Sequence, residues 1–179
     1  MTEPSQAKPD SVKVAVANGV GHAKVFGRGS FKISASIKEF GQALLTAGVN
    51  QMVIDLEHCV GMDSTFMGVT AGLCNRFHQK DGGKVMMIHC SEKIKRLMST
   101  LGLDRLVDEV NREQDAAGGC LPADADLEEL APKQESAIES AETMLEAHEN
   151  LVRVHPDNEL RFQDVLEYLR EDIQRQRGT

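Results

Sequence analysis

The side chains of this chain that could do chemistry are the hydroxyls of Asp63-Ser64-Thr65 and two histidine–cysteine pairs, His58-Cys59 and His89-Cys90. Ser64 stands where a loop becomes a helix, and two readings follow. As an N-cap, its hydroxyl accepts from the unpaired amides of the first turn. As a displayed hydroxyl at the positive end of a helix, it is a place where an added phosphate is tolerated. Histidine with cysteine is a ligand set for zinc or copper. Neighbours at a strand end point apart, however, so two of the four should face the core, and no metal site is expected. Ser64 has Asp63 beside it and His58 nearby, but nucleophilic catalysis also needs an oriented base and an oxyanion hole. The G-x-S-x-G elbow is absent. Gly27-Arg28-Gly29-Ser30 lacks the Gly-Lys-Ser/Thr of a phosphate loop and reads as a turn. The carboxylates from Asp124 to Glu149 show no EF-hand loop and read as a solvated face. No catalytic residue, metal or cofactor is therefore expected.

The elements that must position Ser64 are legible around it. Met52-Val53-Ile54-Asp55-Leu56 is a short apolar run, a buried strand, and Glu57 to Met62 reads as the polar loop after it. Phe66, Val69, Leu73 and Phe77 recur at spacings of three and four, one face of a helix. Upstream, Val12, Val14 and Val16 alternate with polar or small residues, Asn18-Gly19 signals a hairpin, and His22 to Gly27 forms the return strand. Ser36 to Ala47 reads as a helix buried through Ile37, Phe40, Leu44 and Leu45. Downstream, Lys84 to His89 is a strand parallel to the central one, and Ser91 caps a helix that Gly102 stops. A short closing strand is expected at Arg105 to Val107. Asp55 is expected to be a strand-end residue held by neighbouring amides.

Composition sets the outer bounds. The chain has 179 residues, 41% of them hydrophobic, with a net charge of −8 and a pI near 5.2. That balance does not favour direct nucleic-acid binding, which uses a basic patch. No apolar run reaches the roughly 20 residues that span a bilayer, and no apolar signal core opens the chain, so the cytoplasm is expected. Cys59, Cys74, Cys90 and Cys120 form no C-x-x-C pair and read as reduced thiols. Composition shifts divide the chain into a tail (1–10), an α/β domain (11–111), a linker rich in Gly, Pro and carboxylates (112–132) and a helical hairpin (133–177). In the hairpin Ile138, Ala141, Leu145 and Val152 share one face, and Phe162, Val165, Leu166, Leu169 and Ile173 another. Its stripe must bury against its own domain, a second copy as a homo-oligomer, or a partner.

The run Val53-Ile54-Asp55-Leu56, a short loop, then Asp63-Ser64-Thr65, Met67 and Gly68 resembles the STAS domain of bacterial anti-sigma factor antagonists. Leu101-Gly102-Leu103-Asp104-Arg105-Leu106 strengthens the resemblance, whose order of elements runs from about Lys13 to Val110. Phe66 departs from it, since the family usually has Gly there. The resemblance implies an α/β fold, a STAS-like mixed β-sheet with helices packed on it, here with a C-terminal helical hairpin added. It also implies a protein-binding switch in transcription signalling rather than an enzyme. The unphosphorylated domain would bind an anti-sigma factor that is also a serine kinase, and a PP2C-type phosphatase would restore it. Ser64 would be the phosphorylated residue, with Thr65 the second choice. Asp63, Ser64, Thr65, Phe66 and Met67 would be the partner-binding residues, with Phe66 either filling the core or standing out as an anchor. The alternative is a constitutive STAS scaffold or oligomerisation module, in a signalling or transporter-associated complex, with Ser64 only a cap.

Overall fold

Residues 9–109 and 121–178 are described by the computed structural model. The alternating valines build β1 (Ser11–Ala17), which turns into β2 (Val20–Gly29) as an antiparallel hairpin. Asn18 (φ 53°) and Gly19 (φ 76°) are both left-handed, as a two-residue turn of matching twist requires. Helix α1 (Phe31–Thr46) then leads to β3 (Gln51–Met62), α2 (Ser64–His78) and β4 (Lys84–Ile88). Helix α3 (Glu92–Leu101) ends on Gly102 (φ 77°), and a 3-10 turn at Leu103–Arg105 leads to β5 (Asp108–Glu109). Further along, β6 (Glu128–Glu129) pairs beside β1. The sheet order is β5-β4-β3-β2-β1-β6, parallel from β2 to β5 and antiparallel at the β1 and β6 edge.

Strand period places alternate residues on opposite faces. Val25, Ile54, Leu56, Val85 and Met87 face the helices and join Ile37, Leu73, Phe77 and Ile94 in the main core. Val20, Val53, Met86 and Ile88 face the other way and form a small cluster closed by Leu121.

Three local expectations are corrected. Helix α1 begins at Phe31, not Ser36. Ile33 extends the stripe by one turn, but the buried polar Ser34 hides it, its hydroxyl donating back to the Ser30 carbonyl at 2.9 Å. Strand β3 continues through Glu57 to Met62 instead of ending at Leu56. Its polar half still pairs with β2 across two register shifts, while β4 stops opposite Asp55. The closing strand falls at Asp108–Glu109, after the 3-10 turn rather than at Arg105–Val107. Of the expected linker, residues 112–120 lie outside the described residues, and 121–132 run against the sheet.

The hairpin comprises α4 (Ala137–Val154) and α5 (Asp157–Arg177). Ser136 and Glu139 form a reciprocal capping box that starts α4. The hairpin docks on its own domain, with α4 along α2 and Ala147, Leu151, Phe162 and Leu166 continuous with the main core. Within the stripe expected for α5, Phe162, Leu166, Leu169 and Ile173 are buried, whereas Val165 is exposed.

Phe66 is fully buried, so it is core and not an outward anchor. Its ring lies over Gly29, where a Cβ would sit 2.9 Å from the ring. Phe66→Ala should therefore lose about 3–5 kcal/mol of stability by opening a cavity. Urea unfolding of the two proteins measures this, and a loss below about 1 kcal/mol would show that the ring is not packed as described.

Candidate functional site

The site is set by one carboxylate. Asp63, not Ser64, is the N-cap of α2: its Oδ1 accepts from the Phe66 amide at 2.9 Å. Its Oδ2 accepts from the Phe31 amide at 2.8 Å, at the start of α1, and its own N–H donates to the Gly29 carbonyl at 2.9 Å. An anionic acceptor at two helix starts suits both the free amides and the dipoles. The reading of Ser64 as the cap is thereby corrected. Aspartate accepts with two oxygens and bridges both helices, which leaves Ser64 as the first helical residue with its hydroxyl free of capping.

That hydroxyl is half-buried and meets the hairpin. Ser64 Oγ lies 3.0 Å from His148 Nε2, and His148 Nδ1 lies 2.7 Å from the Met144 carbonyl. A carbonyl only accepts, so Nδ1–H donates to Met144, and in the neutral ring Nε2 accepts from the Ser64 O–H. His148 is itself buried and meets the edge of Phe162 at 4.8 Å between ring centroids. The geometry pairs a hydroxyl with an imidazole, but a backbone carbonyl stands where a triad has its acid. The Phe66 amide of the first turn is already bonded to the Asp63 carboxylate, an anion where an oxyanion would need donors.

Ser64, Gly68, Gly72 and Arg76 follow at four-residue spacing along one face of α2, and α4 lies on that face. A Cβ on Gly68 would overlap the Ala147 carbonyl, and one on Gly72 would overlap the Asn150 amide. The Asn150 side chain donates to the Gly68 carbonyl at 3.3 Å. Glu146 receives Arg76 at 2.8 Å and pairs with Lys38 of α1. Burial pushes the Glu146 carboxyl up, but Lys38 and Arg76 outweigh it and hold the group below its ordinary 4.5.

Of the residues expected to bind a partner, Asp63 and Ser64 are half-buried, while Thr65, Phe66 and Met67 are covered. Helix α2 runs between α1 and α4, so the side chains of Thr65, Phe66 and Met67 are buried in this arrangement. His148, Glu146 and Asn150 complete the site and were not expected from the sequence. The signal available was Gly68 and Gly72 one turn apart, which marks a face where another helix backbone comes close.

The histidine–cysteine pairs do not assemble. Cys59 is buried, His58 stacks on Phe26 at 5.1 Å, and His89 turns to Asp55 at 2.8 Å. Asp55, which also accepts from the Glu57 amide, forms with Glu57 and His89 a group whose ligand atoms lie within 4.8 Å of one another. Lys24 already stands among them, 2.9 Å from Glu57, 3.0 Å from Asp124 and 3.7 Å from Asp55. Burial pulls the Lys24 ammonium down, but these carboxylates raise it above its ordinary value, so a protein cation fills this place.

The STAS domain family model matches residues 12–117, and the chain belongs to the STAS family. Its fold is similar to that of TM1081 from Thermotoga maritima, described as a candidate anti-sigma factor antagonist, at 20% identity and a TM-score of 0.52, covering 57% of this chain and 88% of that one. It is also similar to an anti-sigma factor antagonist from Mycobacterium paratuberculosis, at 18% identity and a TM-score of 0.51, covering 65% and 95%. No curated protein matches the chain. Among the described residues no helix is long and apolar enough to cross a membrane.

Two outcomes test the site. Asp63→Ala should cost about 2 kcal/mol, since two capped helix starts are lost together. A calorimetric change below a few tenths would contradict the double cap. Glu146 has a lowered carboxyl in the folded protein, so its contribution is complete above pH 4.5 and is lost as pH falls through the lowered value. Acid should therefore loosen α4 from α2 below about pH 4.5, and Glu146→Gln should flatten that dependence. Hydrogen exchange of α4, followed from about pH 3 to about pH 6, measures both effects.

Proposed function

We propose that this protein is an anti-sigma factor antagonist-like switch whose binding is controlled by reversible phosphorylation of Ser64. The observation that carries this reading is the division of labour at the start of α2. Asp63 supplies the cap, so modification of the Ser64 hydroxyl leaves the helix start bonded. In the transfer, Ser64 Oγ attacks the γ-phosphorus of ATP held by a kinase. The Oγ–P bond forms, the bond to ADP breaks, and the hydroxyl proton passes to a base. A PP2C-type phosphatase would return the hydroxyl by hydrolysis. Each phosphate brings about 1.5 to 2 negative charges next to Asp63. The dipole of α2 tolerates that charge at its N-terminus, but a partner surface closed over it must desolvate a phosphate beside a carboxylate. Binding is lost and the fold is kept.

Family membership and the similarity to anti-sigma factor antagonists support an anti-sigma factor as the partner; in this proposal it is also a serine kinase, and the switch acts in the cytoplasm on transcription. This role makes the protein a binding component and not an enzyme. The half-buried state of Ser64 favours a second reading, a constitutive STAS scaffold in which the Ser64–His148 bond only holds the hairpin in place.

Incubation with ATP and a switch-type serine kinase, followed by peptide mass spectrometry, separates the two. The switch reading expects one phosphate on Ser64, none in Ser64→Ala, and a folded Ser64→Asp that binds the kinase at least about tenfold more weakly. Unmodified Ser64 with unchanged binding of Ser64→Asp would leave the scaffold.

A further inference from the structure

The α2 face bearing Ser64 is occupied, and its occupant is unusual for a core contact. Where α2 meets the sheet and α1, the packing is apolar, through Phe66, Leu73 and Phe77. Where it meets α4 the contact carries polar bonds: Ser64 to His148, Gly68 to Asn150, and Arg76 with Lys38 to Glu146. Ala147 brings the two backbones together at Gly68. The seam thus joins the core residues Ala147 and Leu151 with paired polar groups, and contacts between units that separate and re-form are more polar than permanent ones. The flanks of α4 are tied elsewhere. Lys133 N–H donates to Ser36 Oγ at 2.8 Å before α4 begins, and Asn158 donates to the Leu101 carbonyl at 3.0 Å after it ends. Helix α4 can therefore leave α2 while the chain stays tethered at both ends.

We propose that the Ser64–Gly68–Gly72–Arg76 face is a helix-docking seam, that α4 is its resident and displaceable occupant, and that a partner reaches Ser64 by seating a helix of its own there. This rests on the proposed switch only for the identity of the partner. The chemistry of the competing helix is read from the seam. It carries a small residue opposite Gly68, an amide or hydroxyl near Gly72, and a carboxylate one turn before the amide to meet Lys38 and Arg76. Those are the features Ala147, Asn150 and Glu146 bring now. Ser64 is then shielded in the resting chain, and partner binding and modification both wait on the same opening.

The test uses the full chain. Native-state hydrogen exchange should show α4 amides opening sub-globally, with lower protection than β3 and β4. A Ser64→Cys chain should react slowly with a maleimide at position 64, and adding Ala147→Leu, which wedges the seam from the hairpin side, should speed that reaction at least about tenfold. A fluorescent peptide of residues 136–155, used as the probe helix, should bind the Ala147→Leu chain, and adding Gly68→Ala should abolish binding. The proposal is overturned if α4 and the sheet lose protection together, if position 64 reacts equally fast without the wedge, or if the peptide ignores Gly68. Opening that appears only with dimer formation at high concentration would assign the seam to a second copy and also overturn it. If the seam exchanges helices while Ser64 never accepts phosphate, the phosphorylation reading fails and the seam stands.

Discussion

The Asp63 carboxylate is the constraint on which the site depends. Two helices begin within reach of it, each with unpaired amides that must find acceptors, and one side chain serves both. Because α1 follows β2 and α2 follows β3, the same carboxylate also fixes the ends of two adjacent parallel strands against each other. Asp10 reinforces this rim, accepting from the Arg28 amide and the Ser30 hydroxyl at 2.9 and 2.8 Å. Ser64 is released by this arrangement. With capping done by its neighbour, its hydroxyl has no structural duty toward its own helix and turns to the hairpin.

The hairpin extends the STAS sandwich and alters what the site presents. Its inner helix is held from above by the apolar stripe of α5, through Phe162 and Leu166, and from below by the seam with α2. The two layers differ in kind: α5 supplies area, and the seam supplies specificity through hydrogen bonds and the Glu146 ion pairs. Paired groups of this sort add little net stability once desolvation is counted, but they punish a wrong register. The register they select puts His148 on Ser64. The hairpin thereby narrows access to the Ser64 hydroxyl without altering the STAS fold beneath it.

Much of the fold was legible because its signals are local. Asn18-Gly19 demands a hairpin, the apolar runs at Val53 and Val85 demand buried parallel strands, and Gly102 ends α3 in the left-handed conformation. Errors arose where tertiary contacts override local pattern. Ser34 is polar yet buried, because its hydroxyl bonds back into its own helix. Glu57 and His58 look like loop, but the strand continues where only β2 pairs with it. The motif located Ser64, but not what touches it. His148 lies 84 positions away in a helix whose contact face is Thr143, Ala147 and Asn150, not its apolar stripe. Hydrophobic periodicity is blind to a face built from small and polar residues.

The central claim is that the Ser64 hydroxyl is held by the hairpin through His148. Nitrogen-15 NMR of the imidazoles tests it directly. The account predicts that the neutral form of His148 is a single Nδ1–H tautomer, that its Nε2 carries the shift of a hydrogen-bond acceptor, and that Ser64→Ala moves that resonance alone among the histidines. A His148 signal averaged between tautomers, or unmoved by Ser64→Ala, would contradict it.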